Sequence, residues 1–290
     1  MTIKSILAPL TNATAKGFPL DTALLVANAL RAHAEVLFIK EEVRENTRMA
    51  LIAAGRPEVQ DALRQLAAST RQEQESGHRL ARQKFDDLLA RHRIDYRENS
   101  IPGDLPSAFW RVASGTAIDE IEQHGSAYDL IVVARPEENV ASQPIVEAAL
   151  FGTGCPVLVA PPKPPKIIGE HVMIGWNQGV PAAHAVRYAM PFLEIASRVE
   201  VFSVSTGAKR GTSAPDIARY LSWHGVKAEL NSASPDQRSV GETLLSRARE
   251  SGADLLVLGA FSHSRLRQLV LGGVTRHVLK HADIPVLMAH

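Results

Sequence analysis

The residues best suited to chemistry lie in LGAFSHSRLRQLVLGGVTRHVL, Leu258 to Leu279. Gly259 closes an apolar run, and Gly272 with Gly273 opens a segment of helical periodicity. Unpaired N–H groups at a helix start carry partial positive charge and suit a phosphate, while glycines let the ligand approach the main chain. Thr275 falls in the first turn, where its hydroxyl caps the helix or meets the anion; Arg265, Arg267 and Arg276 add charge or are simply solvated. His263 and Ser264 are adjacent, yet no local Asp completes a nucleophilic triad, so His263 reads as a loop histidine bonding main chain or phosphate. His277 and His281 stand one helical turn apart with no Cys or acidic partner, which argues against zinc. Neither G-x-x-x-x-G-K-(S/T) nor a clean G-x-G-x-x-G after a strand is present, so a P-loop NTPase and a dinucleotide fold lack support. Trp176 either stacks on a base or fills the core, the second being favoured for a tryptophan in an apolar run.

These residues need elements to hold them. In the second half, short apolar runs bounded by turn residues predict strands over Val172–Trp176, Val199–Ser205, Val226–Leu230, Leu255–Leu258 and Pro285–Met288. Apolar residues three or four apart predict helices over Pro181–Ala196, Pro215–His224, Val240–Glu250 and Gly273–His281. Alternation of the two types gives right-handed crossovers and a doubly wound α/β fold with a parallel sheet. The first half repeats the plan. YDLIVVARP and GTGCPVLVAPP are answered by ADLLVLGAF and HADIPVLMAH, a duplication at domain scale, with the proline-rich VAPPKPPKIIG, Val159 to Gly169, between the copies. The expected units are residues 1–162 and 168–290. A charged segment, Glu41 to Arg93, is extra to the first copy and reads as one or two solvated helices or a partner-binding arm. Asp104, in PGDLPSAF, is expected to follow a third strand and serve a turn or N-cap. Both final strands are apolar edges, so Pro156–Val159 and Pro285–Met288 are expected side by side, an internal pseudo-dimer.

Composition narrows the function further. The 290 residues carry 32 basic and 31 acidic side chains, a net charge of +1, which gives no field for nucleic acid or an anionic membrane. One cysteine, Cys155, excludes an internal disulfide and suits a reducing compartment, and no apolar run approaches the roughly 20 residues of a membrane span. A cytoplasmic protein is expected.

The duplicated plan, the terminal Pro-Val-Leu strand and the spaced glycines after the fourth strand resemble the universal stress protein family in its tandem form. The resemblance implies two domains, each a five-stranded parallel sheet of order 3-2-1-4-5 with helices on both faces. It also implies that ATP or ADP sits on the glycine loop, G-x2-G-x9-G-(S/T). Gly259 matches the first glycine and Gly272 the third; Ser262 replaces the second, Gly273 stands at the serine position, and Thr275 supplies a hydroxyl just beyond. Ser262 is either a strained replacement or a compensating phosphate ligand. Asn177 takes the place of the family's adenine-side Asp, and Val204 that of its main-chain contact after the second strand. In the first copy the glycines are gone, Glu137 and Glu138 stand where phosphates would go, and Thr11 replaces the Asp, so that copy is expected to be structural. Three functions follow: a stress-response protein binding an adenine nucleotide in the second copy, a ligand-free adaptor with a protein partner or a second copy of itself, and a nucleotide hydrolase or transferase. No positioned base, nucleophile or metal ligand argues for the third.

Overall fold

A computed structural model describes residues 2–12, 19–41, 57–99, 105–136, 143–205, 211–234, 237–260 and 272–290. The strands are β1 (Ser5–Thr11), β2 (His33–Glu41), β3 (Asp95–Tyr96), β4 (Ser107–Gly115), β5 (Leu130–Ala134), β6 (Val157–Ala160), β7 (His171–Gly175), β8 (Arg198–Val204), β9 (Ala228–Ala233), β10 (Leu255–Gly259) and β11 (Val286–Ala289). The helices are α1 (Pro19–Leu30), α2 (Pro57–His92), α3 (Ala117–His124), α4 (Gln143–Gly152), α5 (Val180–Ile195), α6 (Ala214–Trp223), α7 (Val240–Ser251) and α8 (Gly273–His281).

All the strands join one sheet, in the order β3-β4-β2-β1-β5-β6-β11-β10-β7-β8-β9. The 3-2-1-4-5 order therefore runs through each copy, as β4-β2-β1-β5-β6 and as β9-β8-β7-β10-β11. Every pairing is parallel except at the centre, where β6 and β11 run antiparallel with Val159 opposite Val286 and Val157 opposite Met288. The two final strands thus cover each other's edges, as their apolar sequences require. Alternation along the strands sorts side chains to two faces. Ile6, Ala8 and Leu10 of β1 and Val172 and Ile174 of β7 meet α1, α2, α5 and α6; Leu7 and Met173 meet α3, α4, α7 and α8. Each helical layer is continuous across both copies.

Three expectations are corrected. Within Glu41–Arg93 the described residues include one 36-residue helix, α2, solvated on one face only: Ala81, Phe85, Leu88 and Leu89 are buried because they recur on the other face. The third strand of the first copy, β4, comes after Asp104 rather than before it, since the alternating run is SAFWRVASG; only the two-residue β3 precedes it. Asp104 itself, with Glu137 and Glu138, lies outside the described residues. In the second copy the third strand starts two residues later than Val226, because the Val226 N–H is taken by the Leu221 carbonyl at the end of α6.

The aspartates that lead β5 and β10 fasten each copy at its amino end. Asp254 accepts from the main-chain N–H groups of Gly169, Glu170 and His171 at 2.6, 3.0 and 2.9 Å. Asp129 accepts from Lys4 N at 2.8 Å and from Ser5 N and Oγ at 3.0 and 3.1 Å. Hydrogen bonds to a charged group are each worth roughly 1.5–3 kcal/mol, reduced where water replaces them. Because Glu170 is exposed, Asp254→Ala is expected to cost about 2–4 kcal/mol of stability in urea unfolding. A loss under ~1 kcal/mol would show that water substitutes for the carboxylate.

Candidate functional site

The chain turns back on itself between β7 and β10: β7 leads through α5 to β8 on one side, while β10, on the other, leads to β11. Ligands of open α/β sheets bind beyond the carboxyl ends of the strands at such a switch point. Leu258 lies opposite Gly175, so Gly259 and Asn177 leave the sheet at the same end.

Asn177 is exposed, and its Oδ1 accepts from the Gly179 N–H at 3.0 Å. That bond closes a turn in which Gln178 takes φ 65°, and it orients the amide, leaving NH2 as the group Asn177 offers elsewhere. Gly211, at φ 106°, packs so closely on the Gln178 carbonyl that no side chain fits there. Val204 ends β8, half-buried and opposite Ala233. Trp176 is 3% exposed, and its Nε1–H donates to the Thr212 carbonyl at 2.9 Å. The core reading of Trp176 holds, and its ring is covered rather than offered to a base.

Gly259 meets a different demand. A β-carbon there would lie 2.6 Å from the Pro181 carbonyl carbon and 2.8 Å from Ala182 Cα, so the start of α5 rests directly on the end of β10. Beyond it, Ser262, His263 and Arg265 lie outside the described residues. Gly272 is the N-cap of α8, at φ −56° and ψ 149°, with no side-chain cap, and a β-carbon at Gly272 or Gly273 would meet nothing within 4 Å. Thr275 is 6% exposed and does not cap the helix. Among the described residues nothing caps the N–H groups at the start of α8, the arrangement that receives an anion.

The matching end of the first copy is differently furnished. Helix α2 crosses it with Gly77 against the Asn12 side chain, whose Cγ lies 2.8 Å from where a β-carbon would sit. Lys40 and Glu75 pair beside it at 3.3 Å. His78 Nε2 accepts from the Trp110 indole N–H at 3.3 Å, and burial first, then Lys40, holds the His78 imidazole pKa below its ordinary value.

Other reactive groups are committed to packing. The Cys155 thiol donates to the Tyr128 carbonyl at 2.9 Å, and burial pushes it up, away from a thiolate nucleophile. His277 and His281 hold their rings 4.5 Å apart; burial, then His281, lowers the His277 imidazole, which packs on Gly241. One pair escaped the sequence reading. Glu35 of β2 and Glu200 of β8 occupy equivalent positions, each facing an arginine: Arg111 Nη1 at 3.0 Å and Arg247 Nε at 2.7 Å. The signal was an acidic residue inside the apolar runs AEVLFI and VEVFSV, at the same step of both copies.

The fold and the strand-end crevice define a doubly wound α/β protein. The model of the universal stress protein family matches residues 232–290, from β9 through α8 to β11. Over 46 residues the chain is 44% identical to Universal stress protein Slr1230 of Synechocystis, a match spanning 16% of each protein's length. A universal stress protein from Archaeoglobus fulgidus superposes with a TM-score of 0.61 at 14% identity, over 98% of this chain and 97% of the other. A Pseudomonas aeruginosa protein assigned to the same family gives 0.54 at 15% identity, over 99% and 93%. The sequence likeness to the universal stress protein family thus covers the last fifth of the chain, and the likeness of fold covers nearly all of it.

Proposed function

We propose that this stress-response protein is a tandem pair, units 1–162 and 168–290, that binds ATP or ADP at the carboxyl ends of β7 and β10. The observation that carries the reading is the start of α8 at the switch point, where a β-carbon on Gly272 or Gly273 would meet no atom of the described residues within 4 Å and no side chain among them caps the helix. In this reading the phosphates lie on Gly272 and Gly273, with Ser262, His263, Arg265 and Thr275 as the remaining residues of the motif. Asn177 and the Val204 main chain line the base side. A single site is supported by α2, which occupies the corresponding end of the first copy through Gly77 and Asn12. No helix among the described residues is long and apolar enough to cross a membrane, which is compatible with a cytoplasmic setting.

Calorimetric titration with ATP and ADP tests the site. The parent is expected to bind saturably, and Gly272→Val to bind at least about tenfold more weakly, or ~1.4 kcal/mol, with its unfolding midpoint unchanged. Valine fits the backbone angles of Gly272, and its side chain starts from a position with no described atom within 4 Å. Failure of the parent to bind would favour the adaptor reading, which one observation supports: Trp223, at the end of α6, is 74% exposed.

A further inference from the structure

We infer that His290 is a positioning residue through which the first copy sets the end of β10, where the crevice of the second copy begins. Ala260 directly follows β10 and is fully buried. Its N–H donates to the Ala289 carbonyl at 2.8 Å, and its carbonyl accepts from His290 Nδ1 at 3.3 Å. The peptide groups on both sides of the Ala260 Cα are thereby tied to one short stretch of chain. His290 is itself held: its main-chain oxygen accepts from His184 Nδ1 of α5 at 2.9 Å. Carbonyl oxygens only accept, so both imidazoles carry a proton on Nδ1.

The far side of the His290 ring belongs to the first copy. Phe151 of α4 stands edge-on to it, with centroids 5.1 Å apart and planes at 76°. A second tie runs alongside, the Tyr188 hydroxyl of α5 donating to the Gly154 carbonyl at 3.4 Å. The device is particular to the second copy. At the matching place in the first, Arg135 N donates to the Ala160 carbonyl at 3.1 Å, but the next residue is Pro161, which has no ring donor. A displacement of α4 moves Phe151, and with it His290 and the Ala260 carbonyl. Only the consequence for nucleotide affinity rests on the proposed function; the mechanical link between copies does not.

Amide hydrogen exchange on the full chain without nucleotide tests the link. His290→Ala is expected to speed exchange at Leu258–Ala260 and Leu287–Ala289 by about tenfold. His290→Asn, whose side-chain NH2 takes the place of Nδ1–H, should return it close to the parent rate, and His290→Gln should not. Phe151→Ala should speed exchange at the same amides of the second copy. Unchanged exchange there in Phe151→Ala, or an Asn variant no better than Ala, would overturn the assignment. Titration with ATP then separates the two ideas. A parent that does not bind removes the nucleotide reading and leaves the exchange result to decide the link. A parent that binds, with His290→Ala unaltered in affinity, overturns the positioning role.

Discussion

Arg247→Ala is expected to lower stability by about 3 kcal/mol, toward the low end of the ~3–5 kcal/mol that breaking a buried ion pair costs. Glu200 has no exposed side-chain surface, and Arg247 Nε donates to its Oε1 at 2.7 Å. Removing the arginine strands a carboxylate inside the sheet, which is worse than removing both partners. Two features moderate the loss. The Arg247 side chain is 29% exposed, so its removal admits water, and His171 Nε2 stands 4.0 Å from Glu200 Oε2, close enough for a small shift to bring a ring N–H within hydrogen-bond distance. Arg198, on the same strand, is already paired with Glu229 at 2.8 Å and is not available. The double variant Glu200→Met with Arg247→Met should come close to the parent. Urea unfolding of the three proteins measures this. If Arg247→Ala costs no more than the double variant, Glu200 is not desolvated as described.

The fold was legible because its signals are local and occur twice. Each copy supplies an apolar run led by Asp129 or Asp254, a helix, and a Pro-Val-Leu strand, and the proline-rich stretch falls between the copies. What escaped depended on partners distant in sequence. The helical spacing of Ala81, Phe85, Leu88 and Leu89 marks an apolar face within Glu41–Arg93, but nothing in the segment says that β4 and α1 will cover it. Glu35 and Glu200 were absorbed into apolar runs; their arginines come from β4 and from α7, and no common spacing links the two pairs. At the candidate site, glycine positions were visible but their reasons were not. Gly259 looked like a ligand glycine, yet its nearest neighbours are main-chain atoms of α5, whereas a β-carbon on Gly272 would meet no atom of the described residues within 4 Å. Trp176 similarly resolved to packing once its indole N–H was seen to meet Thr212.

That contrast between glycines yields an expected result that bears on every binding experiment. In Gly259→Ala the new β-carbon collides with the Pro181 carbonyl carbon and Ala182 Cα, at 2.6 and 2.8 Å. Both are main-chain atoms in the first turn of a helix, so no rotamer change relieves the contact. Either α5 lifts from the sheet or β10 shifts against β11, where Gly259 is opposite Ala289. Overpacking of this kind typically costs about 1–3 kcal/mol, and more when backbone must move, so about 3 kcal/mol is expected in urea unfolding. Gly272→Ala should behave otherwise. Alanine is a poorer N-cap than glycine by roughly 0.5–1 kcal/mol, but it also restricts the unfolded chain, which returns ~0.4–1 kcal/mol at backbone angles alanine accepts. The two nearly cancel, leaving stability within ~0.5 kcal/mol of the parent. Lost ATP binding in Gly259→Ala would thus report a displaced α5 and the Asn177–Gly179 turn that precedes it, whereas the same loss in Gly272→Ala would report the ligand. Equal stability losses at the two glycines would mean that α5 does not rest on Gly259.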